Sequence, residues 1–252
     1  MKQIFLIAAN LMKEIFRKKD VYVLVVFLLV LLVYLANAAF FGVTEIYRYL
    51  KEIGLGIVFL FSLFICVPFT AKLMISENRD KTIYALLAKP VSRSTMVLGK
   101  FLGALFVTWG SFTLFYVLFS AVSIFKEHLF APVLYLQVYI AALFMFLLLD
   151  ALVLALSIFC TFSTTVTLSY LIYFMMSWFG MSLKESVSRL GTPGEILYYI
   201  LPHFEFFDLR HRLVHLWGAL PFWVMAVMLL YSLTYSAILL LGGIRIFKNK
   251  YL

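Results

Sequence analysis

Residues 133–161 read VLYLQVYIAALFMFLLLDALVLALSIFCT, a run in which Asp150 is the only charged side chain. A helix needs about 20 residues to cross the roughly 30 Å of hydrocarbon in a bilayer, and this run exceeds that. Five further apolar stretches flank it, at Val21–Phe41, Ile53–Ile75, Val97–Phe125, Thr164–Leu183 and Ala219–Ile244. Each is long enough to span. The composition agrees: of 252 residues, 65% are hydrophobic and only 13% charged, whereas soluble domains are about half apolar and a quarter charged. An outer-membrane barrel would alternate polar and apolar residues along short strands, which these continuous runs do not. The expected fold is therefore an all-α integral membrane protein with six spans, forming one domain over residues 1–252. Cys66 and Cys160 lie in apolar runs, so they read as small buried hydrophobes and not as a disulfide.

The basic residues orient the bundle. Lys2, Lys13, Arg17, Lys18 and Lys19 precede the first span. Lys72, Arg79, Lys81, Lys89, Arg93 and Lys100 sit around the connection between spans two and three. Arg245, Lys248 and Lys250 close the chain, so one side carries 14 of the 21 Lys and Arg. By the positive-inside rule both termini are cytoplasmic, and the net charge of +9 is topological, with no call for a nucleic-acid partner. Ala36-Asn37-Ala38 looks like a signal-peptide cleavage site, but the preceding charged region is too long for one. That region is patterned instead, with Ile4, Ala8, Leu11, Met12 and Ile15 on one helical face and Gln3, Asn10, Lys13, Glu14 and Arg17 on the other. Residues 1–20 thus read as an amphipathic helix on the cytoplasmic membrane surface.

Two connections are longer than a bundle needs. The first, residues 76–93, is cytoplasmic and predicts a short helix from Lys81, capped by Asp80 and stopped before Pro90. Its Ile83, Tyr84, Leu86 and Leu87 are too apolar for a solvated linker and require a bilayer surface or another protein. Ser92 can cap the third span, where Gly99-xxx-Gly103 permits close helix approach. The second connection, residues 184–218, faces outside. It breaks at Gly191-Thr192-Pro193-Gly194, holds an apolar piece at 195–201 too short to span, and continues into Pro202-His203-Phe204-Glu205-Phe206-Phe207. Short re-entrant helices over the bundle are expected there.

The run from Glu77 to Lys100, with Thr82, Leu86-Leu87, Pro90, Ser92-Arg93 and Gly99-Lys100, resembles the stretch after span two in ABC type-2 permeases, the membrane subunits of type V ABC exporters. Lys81 stands where that family usually has glycine. Leu201 to Phe207 is similar to the external segment of the branch containing the nitrous-oxide reductase maturation and gliding-motility permeases. The resemblance implies a non-catalytic permease in a prokaryotic inner membrane, energised by a separate nucleotide-binding subunit that binds ATP and Mg, and paired with a second permease copy or paralogue. It implies further that Glu77, Arg79, Asp80, Thr82, Ile83, Tyr84, Leu86, Leu87, Pro90 and Arg93 couple to that subunit. Pro202, Phe204, Glu205 and Phe206 would guard an external gate. The chain's own residues agree with this division of labour, because Ser94 to Lys100 lacks the first glycine of a phosphate-cradling loop and runs straight into a span.

Asp150 is the one acidic residue well inside a predicted span, and burying its charge is costly unless it is paired or wetted. Two readings stand: part of a substrate path or gate, or a structural carboxyl bonded to Ser or Thr of another helix or protonated. Phe146, Leu147, Val153 and Leu154 around it are apolar, so any partner comes from another helix. His211 and His215 stand four apart, yet no acidic or cysteine ligand accompanies them, so they read first as interfacial histidines and second as a metal site. The Thr161, Ser163, Thr164, Thr165, Thr167 and Ser169 run reads as a tight turn capping two helices, with a polar path lining as the alternative. A membrane-bound enzyme would need a cluster of His, Glu or Cys, and a proton-coupled carrier using Asp150 would show two matching halves. Neither pattern is present in the sequence.

Overall fold

The computed structural model describes residues 6, 8, 9, 11, 19–37, 46–79, 93–127, 131–188, 196 and 198–250, all helical or in short turns. Among the described residues six long helices fall on the six apolar runs: α1 (Lys19–Asn37), α2 (Ile46–Arg79), α3 (Arg93–Glu127), α4 (Pro132–Ser157), α5 (Phe162–Ser188) and α7 (Phe222–Lys250). A 3₁₀ turn (Phe204–Phe207) and a short helix α6 (Arg210–Val214) lie in the connection between α5 and α7. Segments of α2, α3, α4 and α7 are long and apolar enough to cross a membrane, and α1 carries a shorter apolar stretch, Val25–Leu35.

The centre is α4, which packs against α2, α3, α5 and α7. It opens with Pro132, whose missing amide costs nothing in the first turn. Its most apolar stretch is 72% buried, against 28% for the corresponding stretch of α7, so α4 is the axle and α7 lies at the rim. Around α4 the core is aromatic: Phe112 stacks on Tyr139 at 5.9 Å and sits 5.2 Å from Phe146, while Phe59 meets Phe112 edge-on at 5.5 Å. Close helix approach is bought by glycine at two places. A Cβ on Gly54 of α2 would stand 2.8 Å from the Phe119 ring of α3. One on Gly103 would meet Leu11 Cδ1 at 2.6 Å and the Ala8 backbone at 3.3 Å. The small-residue face of α3 therefore receives the amino-terminal segment, and Ala8 of that segment is buried while Leu6 is exposed.

Helix ends depart from the apolar runs for local reasons. α1 is described to Asn37, whose Nδ2 donates to the Val33 carbonyl at 2.8 Å; the predicted end at Phe41 lies outside the described residues. α2 begins at Ile46 rather than Ile53, because nothing in 46–52 breaks a helix and hydropathy cannot see a helix continuing into polar sequence. α4 ends at Ser157, not Thr161. There the Cys160 amide closes on the Leu156 carbonyl at 3.0 Å, although the run stays apolar to Cys160. Thr161 and Thr164 bond each other at 2.9 Å and the Thr165 amide donates to the Thr161 carbonyl at 2.9 Å, which is the tight threonine turn expected. α6 closes with Leu216 in the left-handed region (φ 51°). The Trp217 amide donates to the Arg212 carbonyl and the His215 amide to the His211 carbonyl, each at 3.0 Å, satisfying the helix end as a glycine would.

Candidate functional site

The interior and one end of the bundle hold most of the described side-chain polar chemistry. In the interior, α4 places Asp150 with 0% exposure. The expected partners do come from other helices. Thr70 of α2 donates to Oδ1 at 2.6 Å, the Cys66 thiol at 3.3 Å, and Thr108 of α3 at 3.4 Å. Oδ2 receives no hydrogen bond among the described residues. Cys66 is thus not only a small hydrophobe: its neighbours in sequence are apolar, but its neighbour in space is a carboxyl. Both cysteines are free. Removing one partner of a buried polar group costs about 1–3 kcal/mol, so this four-residue cluster ties three helices at one level. One turn nearer the α2–α3 connection, Lys100 donates to the Leu73 carbonyl, giving the lysine of the Gly99-Lys100 pair a buried place.

The second concentration is the α5–α7 connection, which lies over the end of the bundle where α4 begins. Pro202, Phe204 and Phe207 are buried, while Phe206 is 53% exposed. Phe204 packs on Tyr173 of α5 at 5.3 Å and Phe207 on Tyr231 of α7 at 6.1 Å. From α7 the Tyr231 hydroxyl accepts the His203 amide at 3.0 Å, and Tyr235 donates to the Ile200 carbonyl. Glu205 lies against Gly180, where a side chain would strike its carboxylate, and accepts from the Tyr198 hydroxyl at 3.3 Å. His203 Nδ1 stands 3.8 Å from that carboxylate. Burial holds the imidazole below its ordinary range and outweighs the attraction of Glu205.

Beyond the 3₁₀ turn, Asp208 and Arg210 form a two-pronged pair, with Nε to Oδ1 at 2.8 Å and the guanidinium to Oδ2 at 2.6 Å. The Arg210 guanidinium carbon lies 5.1 Å from the centre of the Phe59 ring of α2, a cation–π seat. Burial alone would raise the Asp208 carboxyl, but the Arg210 hydrogen bonds and charge win and hold it below the usual range. From the other side Gln137 of α4 grips the start of α7, its Nε2 donating to the Leu220 carbonyl at 2.7 Å and its Oε1 accepting the Leu220 amide at 2.9 Å.

Of the predicted coupling residues, Glu77 and Arg79 fall in the last turns of α2 and Arg93 opens α3. Asp80, Thr82, Ile83, Tyr84, Leu86, Leu87 and Pro90 lie outside the described residues. The four residues predicted for the gate, Pro202, Phe204, Glu205 and Phe206, lie in or beside the 3₁₀ turn of the aromatic α5–α7 connection, the clasp. His211 and His215 stack at 6.3 Å, and His215 continues onto Trp217 at 5.5 Å. Among the described residues no three His, Cys, Asp or Glu side chains converge. Sequence reasoning passed over Gln137, the one amide in its apolar run, and Asp208-Leu209-Arg210, whose spacing of two suits a local fork.

The ABC-2 family transporter proteins match residues 5–252, which takes in the polar cluster, the clasp and both ends of the α2–α3 connection. The chain belongs to this family. No curated protein matches it. The four strongly apolar helices among its described residues fit a multi-pass membrane protein of that family.

Proposed function

We propose that the chain is the permease subunit of an ATP-driven exporter, with six spans, α1 to α5 and α7, and both termini in the cytoplasm of a prokaryotic cell. The observation that carries this is the family match across residues 5–252, supported by the basic residues gathered on one side. In this reading a separate nucleotide-binding subunit supplies ATP hydrolysis, and residues 81–88 form the coupling helix that enters a groove on it. Leu86, Leu87, Ile83 and Tyr84 give the contact its apolar area. Glu77, Arg79, Asp80, Thr82, Pro90 and Arg93 give it register. Two permeases meet side by side, and closure of the ATP-bound subunits tilts their helices. Cargo leaves past Pro202, Phe204, Glu205 and Phe206, and Asp150 belongs to the gate between the helices that move.

The test is a gentle detergent purification of the tagged chain from its native host, followed by ATPase assay of whatever co-purifies. A nucleotide-binding subunit is expected, with activity lost in Leu86→Asp, Leu87→Asp because two charges cannot enter an apolar groove. A stable permease with no such subunit, or one that survives the double substitution, would refute the reading.

A further inference from the structure

All three donors around Asp150 reach the same oxygen. Thr70 at 2.6 Å, Cys66 at 3.3 Å and Thr108 at 3.4 Å converge on Oδ1, while Oδ2, equally buried, receives none among the described residues. An ionised carboxylate spreads its charge over both oxygens, and when both are buried away from bulk solvent each one demands donors or a cation. A neutral acid is asymmetric: its carbonyl oxygen accepts, and its hydroxyl oxygen carries the proton and needs no donor. The one-sided pattern at Asp150 is that of the neutral acid.

The surroundings point the same way. α2 contributes Cys66 and Thr70, and α3 contributes Thr108. The Lys100 ammonium, two turns along α3 from Thr108, donates to the Leu73 carbonyl. On α5, Tyr170 turns its hydroxyl to the Leu63 carbonyl at 3.3 Å. α7 contributes Ser236, whose hydroxyl reaches the Leu147 carbonyl at 3.4 Å. No side chain named here brings a positive charge to Oδ2. In lipid, a carboxyl so placed neutralises itself by binding a proton.

We infer that Cys66, Thr70, Thr108 and Asp150 form a proton-binding site, in which Asp150 holds a proton on Oδ2 while α2, α3 and α4 are packed as they are here. The inference deepens the reading of Asp150 as a gate group and rests on it for its use in transport, though not for the proton itself. Parting those helices would admit water, the Oδ2–H bond would break with its electron pair staying on the carboxylate, and the proton would leave on water.

The test is infrared spectroscopy of the purified full chain in lipid nanodiscs at pH 7, in the carbonyl region of protonated carboxylic acids. The wild type is expected to show a band that shifts on exchange into D₂O and is unmoved when Na⁺ is replaced by choline. Asp150→Asn should lose that band. Thr70→Val removes the shortest donor to Oδ1 without changing shape, and should move the band to higher frequency, so it tests the site even where the Asn variant fails to fold. A wild-type spectrum without the band, or a band that persists in Asp150→Asn or ignores Thr70→Val, would overturn the inference. A band that depends on Na⁺ would overturn it in favour of a cation. Because no ATPase subunit is needed, failure to capture one leaves this result standing.

Discussion

Asp208→Asn preserves the shape of the clasp and removes its charge. The pair keeps only about a fifth of its surface, with side-chain exposures of 19% for Asp208 and 23% for Arg210, and Arg210 stays pinned over Phe59. Hydrogen bonds to charged groups contribute roughly 1.5–3 kcal/mol each, and breaking a fully buried pair costs about 3–5 kcal/mol. With the residual exposure, the expected loss is about 2–3 kcal/mol. Most of it comes from leaving the guanidinium desolvated and unpaired, so Asp208→Asn combined with Arg210→Met should recover most of the loss. The assay is thermal unfolding in detergent in a Cys160→Ser background, read by a thiol dye as buried Cys66 is uncovered. For a chain of this size the midpoint should fall by roughly 4–12 °C in the single variant. Acid should erase the difference. The folded state holds the Asp208 carboxyl below its ordinary range, so its contribution is present above about pH 4 and is lost as pH falls below that. A single variant that melts with the wild type, or losses that add in the double variant, would show that the pair is not coupled and that the aromatic contacts alone hold the connection.

Gln137→Leu strips both bonds from the Leu220 backbone and leaves a half-buried amide and carbonyl unpaired, a cost of about 1–3 kcal/mol. Hydrogen exchange at residues 218–222 should quicken, with little change in the middle of α4. Gly54→Ala gains up to about 1 kcal/mol of helix propensity. It also drives a methyl towards the Phe119 ring, which is only 1% exposed, so a net loss of about 1–2 kcal/mol is expected. Adding Phe119→Leu should reverse its sign in the same melting assay.

Hydropathy made the helices legible because a run such as 133–161, apolar over many turns, admits no other backbone solution in lipid. Their ends were less legible. The Ile158–Cys160 turn stops α4 by local hydrogen bonds inside sequence that is still apolar, and hydropathy is blind to that. Asp150 announced itself as a charge in an apolar run, and the need for partners from other helices followed from its apolar neighbours. Which partners those are depends on the rotation of α2 and α3 about their axes. Cys66, Thr70 and Thr108 are each unremarkable in sequence, and only packing aims them at one oxygen. The clasp shows the same division. The Pro202 to Phe207 run was legible as a break between two spans, while its seat against Tyr173 and Tyr231 depends on contacts far away in sequence.

These separate features share one helix. α2 runs 34 residues, about 50 Å. Along it stand Phe59 beneath Arg210, then Cys66 and Thr70 on Asp150, then the Leu73 carbonyl bound by Lys100. Its last turns, to Arg79, carry the start of the stretch 76–93 read as the coupling segment. Pro68 lies between Cys66 and Thr70. It offers no amide to the Phe64 carbonyl, and the neighbouring Leu63 carbonyl accepts from Tyr170 of α5. The easiest place to bend α2 therefore coincides with the polar cluster. A displacement of its last turns would swing about that point and strain the Thr70 and Cys66 bonds before reaching Phe59. Pro68→Ala restores the missing amide and stiffens the rod. The midpoint of melting should rise or hold, amides 69–72 should exchange more slowly, and Cys66 should react more slowly with a membrane-permeant maleimide. A lower midpoint with a more reactive Cys66 would refute this, because it would mean that the bend is needed to assemble the cluster and is not the joint about which it opens.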